Sequence, residues 1–314
     1  MIWKQEVKDG CTVWTGQTSA MRLAVVPELG SKVISLQNRL TGREWLAQPE
    51  GRHGNQGYDS SFGDSDGSGW DEMFPTINPC DYPAFPWAGT PLPDHGEVWS
   101  IPWNASADTE KLHCDVHGIR LPYHLRKTYS FIREDLLRID YSVTNYSPFP
   151  FSFLWAAHPL FQIEAGMEII VPDGLREIAV SYSENARLGR YGDLRSWPQP
   201  FADREDIVLN VAGEKRDNTA EKFYFTGKLP EGRAAIYDPR GQEGLTITFP
   251  CEKVPYLSIW ANYGGYQGQY HLALEPATGY LDHLSAAMEQ GRAAIVEAGG
   301  TGGTYSWHLE VSWL

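Results

Sequence analysis

Apolar and polar residues alternate along most of this sequence, and that alternation restricts the fold more than any other feature. Within residues 136–145, the odd positions from 137 to 143 are apolar and the even positions from 138 to 144 are polar or charged. Successive side chains of a β-strand point to opposite faces, so this pattern predicts a half-buried strand. A polar turn at 133–135 separates it from a similar stretch at 124–132, which predicts a hairpin.

Comparable patterns predict strands along the rest of the chain. Residues 21–26 and 33–36 form a second predicted hairpin through Pro27 and Gly30. Further strands are predicted at 11–17, 97–103, 111–117, 150–157, 168–171, 205–211, 220–227, 233–238, 244–250, 256–261, 270–275, 292–297 and 303–313. One short helix is predicted at 281–290, because Gly291 is a common helix stop. Many strands without intervening helices predict an all-β sandwich or barrel, and the absence of a linker predicts a single domain over residues 1–314.

The charge balance restricts the class of partner. The sequence has 40 acidic and 26 basic residues, a formal net charge of −14. Nucleic acids and anionic membranes would be repelled, so we expect neither as a partner. The sequence shows neither a signal-peptide pattern nor an apolar run of about 20 residues, which predicts a cytoplasmic protein. We expect a neutral small molecule as ligand, and a monomer or a homodimer.

The aromatic content suggests what that ligand is. Twelve Trp and sixteen Tyr residues occur, many of them close to Gly, Pro and carboxylates. Aromatic rings offer flat apolar surface to the C–H face of a sugar. The structural alternative is that a large β-sandwich core uses the same residues.

One candidate segment for chemistry follows a long irregular stretch, residues 48–96, which is rich in Gly, Pro, Asp and Ser. Loops of that length within a compact domain are usually functional. His95 lies at its exit, and Gly96 beside it leaves room for a ligand. On the predicted strand that follows, His95, Glu97 and Trp99 would share one face. A histidine whose hydrogen bonds are satisfied within its own turn is the alternative interpretation.

Two other strands end in groups that can carry protons. His158 ends an apolar strand, and Pro159 favours an extended backbone before it, which would fix the imidazole direction. Histidine exchanges protons near neutral pH, so such a residue at a cleft could act as an acid. Glu275 ends the strand 270–275, where burial of a carboxylate is costly without a partner or a task. A buried histidine bonded to backbone and an exposed glutamate are the alternatives.

Three patterns resemble ion or phosphate sites and are discounted. Residues 64–69 have the oxygen spacing of a calcium loop, but Pro75 occupies its twelfth position. His113 and His117 share a strand face without further evident ligands. The glycine-rich segment 299–303 lies between predicted strands, which predicts a turn. We expect no metal and no organic cofactor.

Four segments together carry a family resemblance. They are 69–75 (GWDEMFP), 95–96 (HG), 158–161 (HPLF) and 274–276 (LEP). In this order and approximate spacing they resemble the galactose mutarotase (aldose 1-epimerase) superfamily, and the strand 307–313 is similar to that family's closing strand. The resemblance spans nearly the whole chain. It implies a large antiparallel β-sandwich with the sugar on a concave sheet face.

The resemblance also implies a reaction. Members of this superfamily interconvert the α and β anomers of free aldoses without a metal or an organic cofactor. By this resemblance, Glu275 would be the general base at the anomeric hydroxyl and His158 the general acid at the ring oxygen. His95 would hydrogen-bond the ring oxygen or the anomeric oxygen.

The sequence departs from the family pattern in two places. Galactose mutarotases carry an aspartate before a short aromatic strand, and the corresponding stretch 219–225 lacks it. An arginine expected ahead of the first histidine is also missing. These departures argue against galactose and against hexose 6-phosphates as substrates. The candidates for substituted sugar contacts are Asp71, Glu72, Trp99, Lys222, Trp260 and Asn262.

We therefore predict an aldose 1-epimerase-like enzyme for an unphosphorylated aldose. A non-catalytic carbohydrate-binding or regulatory protein on the same fold is the first alternative. A lyase or hydrolase on this fold is the second. The two histidines and the glutamate favour the epimerase, because simple binding needs no proton carriers at those positions. A lyase would carry further catalytic Tyr or Arg residues and usually another domain.

Overall fold

Most of the regular structure is β-strand in the parts of the chain that the computed structural model describes, residues 3–54, 57–299 and 303–314. Within these ranges the strands are β1 (Trp3–Lys8), β2 (Cys11–Gln17), β3 (Met21–Val26), β4 (Lys32–Asn38), β5 (Trp70–Met73), β6 (Cys80–Asp81), β7 (Pro91–Leu92), β8 (Asn104–Ala107), β9 (Lys111–His117), β10 (Tyr123–Arg133), β11 (Leu136–Asn145), β12 (Phe151–Phe153), β13 (Ala156–Phe161), β14 (Glu168–Ile170), β15 (Glu177–Ser183), β16 (Leu194–Ser196), β17 (Thr219–Phe225), β18 (Arg233–Asp238), β19 (Glu243–Thr248), β20 (Tyr256–Tyr263), β21 (Tyr270–Ala277), β22 (Ala294–Val296) and β23 (Gly303–Trp313). The helices are α1 (Leu284–Glu289) and short 3-10 segments at Pro27–Leu29, Phe62–Asp64, Glu184–Ala186 and Lys215–Asp217.

Two large antiparallel sheets build the fold. Sheet A has the strand order β1-β2-β3-β4-β5-β13-β21-β20-β17-β15-β16. Sheet B has the order β14-β18-β19-β23-β11-β10-β9-β8. Two small sheets, β12-β22 and β6-β7, complete the described strands. The predicted all-β fold, a large antiparallel β-sandwich, is confirmed.

Sheet A has one face toward the main core and one face away from it. On β21, Leu272 and Leu274 are fully buried members of the large apolar cluster that also contains Ile139 and Leu309 of sheet B. Neighbouring residues of a strand point to opposite faces. His271, Ala273 and Glu275, which alternate with these leucines on β21, therefore point away from sheet B. This second face carries the candidate site.

Buried charge also lies between the two sheets. The Glu72 carboxylate on β5 is 2.6 Å from the Lys127 ammonium on β10 and accepts hydrogen bonds from the Tyr141 hydroxyl at 3.0 Å and the Trp155 indole at 2.9 Å. All four residues are almost completely inaccessible to solvent. Glu72 was predicted to contact a sugar, but its side chain points into the core between the sheets.

The sequence prediction was wrong for two strands and missed several. Residues 97–103 and most of 205–211 form turns instead of strands. Residues 97–101 are all buried, and Ile207 and Leu209 are the buried residues of the second segment. An isolated bridge between Val211 and Glu168 joins the second segment to β14, but no continuous strand ladder forms. The apolar patterns of these two segments therefore reflected burial and not strand pairing. His95, Glu97 and Trp99 consequently do not share a strand face, and Glu97 instead accepts hydrogen bonds from the Tyr123 hydroxyl and the Arg120 amide.

Other strand predictions hold with small changes. The predicted strand 150–157 is divided into β12 and β13. The strands β1, β5, β6, β7, β8, β15 and β16 were not predicted. The short helix at 281–290 is confirmed as α1. The predicted turn at 299–303 falls mainly on residues outside the described ranges.

In the described ranges, helices are too short and too polar to cross a membrane.

The buried ion pair between the sheets leads to a stability prediction. Lys127→Met leaves Glu72 as an uncompensated buried charge, so we expect the free energy of unfolding to fall by roughly 3–5 kcal/mol. The double variant Lys127→Met/Glu72→Gln should recover most of that loss, because no lone charge remains. Denaturant unfolding of both variants measures the difference. Equal losses in the single and double variants would contradict the ion pair's role.

Candidate functional site

A cavity of about 290 Å³ opens on the face of sheet A that points away from sheet B. Its floor comes from β13, β17, β20 and β21, and its walls from the loops around residues 62–67, 77–95 and 266–269. The lining residues are Phe62, Gly63, Ser65, Gly67, Ile77, Asn78, Asp94, His95, His158, Leu160, Ser181, Tyr182, Lys222, Trp260, Tyr266, Gln267, Gln269, His271, Glu275 and Asp282.

The structure brings the three predicted proton carriers to this one cavity. In the ladder between β13 and β21, Ala156 pairs with Ala277 and Leu160 with Ala273, which places His158 opposite Glu275. The His158 Nε2 atom is 3.5 Å from the Glu275 Oε1 atom. The ring of His95 meets that of His158 edge to face, with 5.5 Å between the centroids.

The two carboxylate oxygens of Glu275 have different surroundings. Oε2 accepts a hydrogen bond of 2.7 Å from the Ser258 hydroxyl and lies 2.9 Å from the Lys222 ammonium. Oε1 has no hydrogen-bond partner among the described residues and faces His158. The carboxylate is therefore held through one oxygen, and the other oxygen can accept a proton from a ligand.

Lys222 connects Glu275 to a second buried carboxylate, Asp282. Its ammonium is 3.2 Å from Asp282, which also accepts hydrogen bonds from the hydroxyls of Tyr224 at 2.8 Å and of Ser181. Burial alone would raise the pKa of Asp282, but Lys222 and the two hydroxyls outweigh it and the pKa lies below its usual range. Burial would lower the pKa of Lys222, yet Asp282 and Glu275 raise it.

The buried histidines of the site are neutral at neutral pH. Burial, followed by the electrostatic effects of His95, Lys222, His271 and Lys32, lowers the pKa of His158 well below its usual range. Burial lowers the pKa of His271 to about 4. The His271 ring accepts a hydrogen bond of 3.0 Å from the Trp260 indole, which is consistent with a neutral imidazole.

His95 is fixed by the loop that carries it. Its backbone has a φ of +58°, an uncommon conformation for a residue other than glycine. Its Nδ1 atom is 2.8 Å from the Asp94 carboxylate, and the Phe62 ring stacks on its face with 4.1 Å between centroids. Since Asp94 engages Nδ1, Nε2 is the ring nitrogen left for a ligand.

Three aromatic rings form a continuous wall on one side of the cavity. The centroid of Tyr182 is 5.8 Å from that of Trp260 and 6.3 Å from that of Tyr266, and Trp260 and Tyr266 are 5.8 Å apart. All three are partly exposed. Trp260 was predicted from the sequence, whereas Tyr182 and Tyr266 were not, because nothing in their local patterns distinguishes them from core or turn residues.

Of the six predicted sugar contacts, Lys222 and Trp260 line the cavity, and Glu72 faces the core. The other three lie behind the lining residues. The Trp99 indole donates a hydrogen bond of 2.9 Å to the Asp94 carbonyl. The Asn262 amide donates to the Tyr266 carbonyl at 2.9 Å and accepts from its N–H at 3.1 Å. Asp71 is buried 3.1 Å from the Lys32 ammonium.

The buried neutral histidines lead to a pH prediction. Because the folded pKa of His271 is depressed to about 4, its contribution to stability is complete above its unfolded pKa near 6.5 and is lost as the pH falls from 6.5 to 4. This contribution to the free energy of unfolding is roughly 3 kcal/mol. We expect His271→Gln, which keeps an acceptor for Trp260, to lose stability less steeply over this range. The free energy of unfolding is measured at several pH values for both proteins. If it falls with equal slope in the variant and in wild type, the prediction is refuted.

Comparisons with known proteins bear on the fold. Residues 205–311 match the family model of a domain of unknown function, DUF4432. No curated protein matches the sequence.

Solved structures show a clearer likeness. A galactose mutarotase-like protein from Lactobacillus casei ATCC 334 has a TM-score of 0.70 at 17% identity, over 96% of this chain and 100% of that one. A galactose mutarotase related enzyme from Lactobacillus acidophilus gives 0.69 at 12% identity, over 96% and 97%. A candidate aldose 1-epimerase from Escherichia coli K12 gives 0.67 at 17% identity, over 97% and 100%. The resemblance expected from the sequence is thus confirmed in the fold, and the chain has the galactose mutarotase-like β-sandwich fold.

Proposed function

We propose that this protein is an aldose 1-epimerase-like isomerase that interconverts the anomers of an unphosphorylated aldose. The observation that carries the proposal is the pair formed by His158 Nε2 and Glu275 Oε1, 3.5 Å apart on the cavity floor. An aldose presents an acidic hydroxyl and a basic ring oxygen on the same carbon. Two adjacent proton carriers match that arrangement, since one can remove a proton while the other supplies one.

The proposed ring opening uses each group once. Glu275 Oε1 removes the proton of the anomeric hydroxyl, the bond between the anomeric carbon and the ring oxygen breaks, and the ring oxygen takes the proton from His158 Nε2. The free aldehyde rotates about its C1–C2 bond, and the reverse transfers close the ring to the other anomer. We propose that Nε2 of His95 hydrogen-bonds an oxygen at the reacting carbon. Acid–base catalysis of this kind contributes about 10²–10⁴-fold.

The charges of the cavity support a neutral sugar. Among the described residues that line the cavity, Lys222 is the only lysine or arginine. Its ammonium is already shared by Glu275 and Asp282. Asp94 adds a further carboxylate, engaged by His95. A phosphorylated sugar would therefore meet carboxylates without an uncommitted cation, which disfavours it.

The aromatic wall supports a carbohydrate ligand. The rings of Tyr182, Trp260 and Tyr266 offer apolar surface beside the polar floor of Lys222 and Glu275. A sugar has the matching chemistry, with C–H groups on its faces and hydroxyls on its rim. We propose a small-molecule carbohydrate as the partner of the cavity.

The test is anomer exchange by polarimetry with a panel of freshly dissolved pentoses, hexoses and 6-deoxyhexoses. We expect wild type to accelerate mutarotation of at least one of them, and Glu275→Gln to reduce kcat by about 10²–10⁴-fold because the amide cannot take the proton. Glu177→Gln, an exposed position on β15 of the same sheet, is the matched control and should keep the wild-type rate.

Two outcomes would overturn the proposal. If no aldose is accelerated but sugars shift NMR signals of the cavity residues, the protein is a carbohydrate-binding protein on this fold. If Glu275→Gln keeps full activity, the assignment of the base is wrong.

A further inference from the structure

A second buried carboxylate lies on the side of His158 away from Glu275. In the ladder between β5 and β13, His158 pairs directly with Asp71. Residues paired in this way have side chains on the same face of the sheet, with Cβ atoms about 5 Å apart. Asp71 is 1% exposed and His158 5% exposed, so both are shielded from bulk solvent. Across three neighbouring strands, one row of sheet A therefore presents Asp71, His158 and Glu275 in sequence.

Both members of the Asp71–His158 pair retain unused hydrogen-bonding capacity. The Nδ1 atom of His158 and both carboxylate oxygens of Asp71 are buried without a hydrogen bond of good geometry among the described residues, and one Asp71 oxygen forms an ion pair with Lys32 at 3.1 Å. Buried polar atoms in native structures are nearly always paired, so exceptions need an explanation. A proton passed between these two groups through one bridging water molecule would satisfy both of them.

We propose that Asp71 supplies, through His158, the proton that the ring oxygen receives. This inference rests on the proposed function and adds a residue to its acid side. As the ring opens, the Nε2–H bond of His158 breaks and the ring oxygen gains that proton. At the same time the Asp71 O–H bond breaks, its proton passes to one bridging water molecule, and that water gives one of its own protons to His158 Nδ1. The imidazole thus stays neutral overall, and ring closure reverses both transfers.

The charges around the pair are consistent with a proton that resides on Asp71. Facing Asp71 are Lys32 at 3.1 Å, Asp66, which is itself 2.7 Å from Lys32, and Lys127 from the core side. Burial, opposed by Lys32 and assisted by Asp66, raises the pKa of Asp71 to about 6.

Burial and the nearby lysines keep the proton off the His158 ring. Glu275 lies 3.5 Å away, and the other titratable groups are His95, Lys222, His271 and Lys32. Burial, followed by the electrostatic effects of these four groups, lowers the pKa of His158 well below that of an ordinary histidine. A neutral imidazole is a weak acid on its own, so it needs a donor behind it.

The alternative role of Asp71 is a simple partner for Lys32. That lysine already has Asp66 at 2.7 Å and the Ser68 carbonyl at 3.2 Å, which hold the loop that carries Phe62. The two roles differ in one observable property. A proton supply couples the titration of Asp71 to the ring nitrogens of His158, whereas an ion pair with Lys32 does not.

The deciding experiment is ¹⁵N NMR of the histidine ring nitrogens between pH 4.5 and 8.5, with His158 assigned by the loss of its signals in His158→Gln. In wild type we expect the Nδ1 signal of His158 to change with an inflection near pH 6. Asp71→Asn should abolish the inflection. Asp66→Asn, the same change in the same cluster, should keep it and move it to lower pH, because one negative charge beside Asp71 is gone. A His158 inflection that is identical in all three proteins would overturn the proposal.

The rate of mutarotation gives an independent test of the role of Asp71. For an aldose that wild type accelerates, we expect Asp71→Asn to lower kcat by about 10²-fold with little change in KM, and to remove the fall in rate above pH 6. An unchanged pH profile would overturn the proposal. If wild type accelerates no aldose, the proposed function fails, while the NMR titration still decides whether Asp71 and His158 share a proton. If Asp71→Asn does not fold, the same question is decided by whether the His158 inflection moves to lower pH in Asp66→Asn.

Discussion

The site depends on how a fully buried carboxylate is compensated on the face of sheet A that points away from the core. Glu275 has no exposed surface, and burial of a lone carboxylate would favour its neutral form. Lys222 and Ser258 compensate it through one oxygen, and Lys222 is in turn compensated by Asp282. Because Lys222 serves two carboxylates, the cavity floor keeps a negative balance. The positive charge of Lys222 also favours the neutral form of His158.

The alternation of strand side chains explains how one short segment serves two purposes. Glu72 and Asp71 are adjacent on β5, so they point to opposite faces. Glu72 is compensated between the sheets by Lys127, whereas Asp71 lies on the face of His158. The same reasoning applied to the sequence would have shown that both residues cannot contact one ligand, and that at most one of them belongs to the site.

The sequence predicted well what depends on local pattern and on short segments. The all-β fold followed from alternation, and His95, His158 and Glu275, which carry the family resemblance, meet at one cavity. Asp282, Tyr182 and Phe62 were missed because they lie at a strand end or in loops, where no periodicity indicates which way a side chain points. Trp99 and Asn262 do not line the cavity. Trp99 lies in a turn, and the side chain of Asn262 is bonded to the Tyr266 backbone, which the local pattern did not indicate.

A crystal structure of the protein with a bound aldose tests the central claim most directly. The account predicts the anomeric carbon over the floor of the cavity, with its hydroxyl within hydrogen-bond distance of Glu275 Oε1 and the ring oxygen within that distance of His158 Nε2. A sugar bound with its anomeric carbon turned toward the wall of Tyr182, Trp260 and Tyr266, out of reach of both groups, would contradict it.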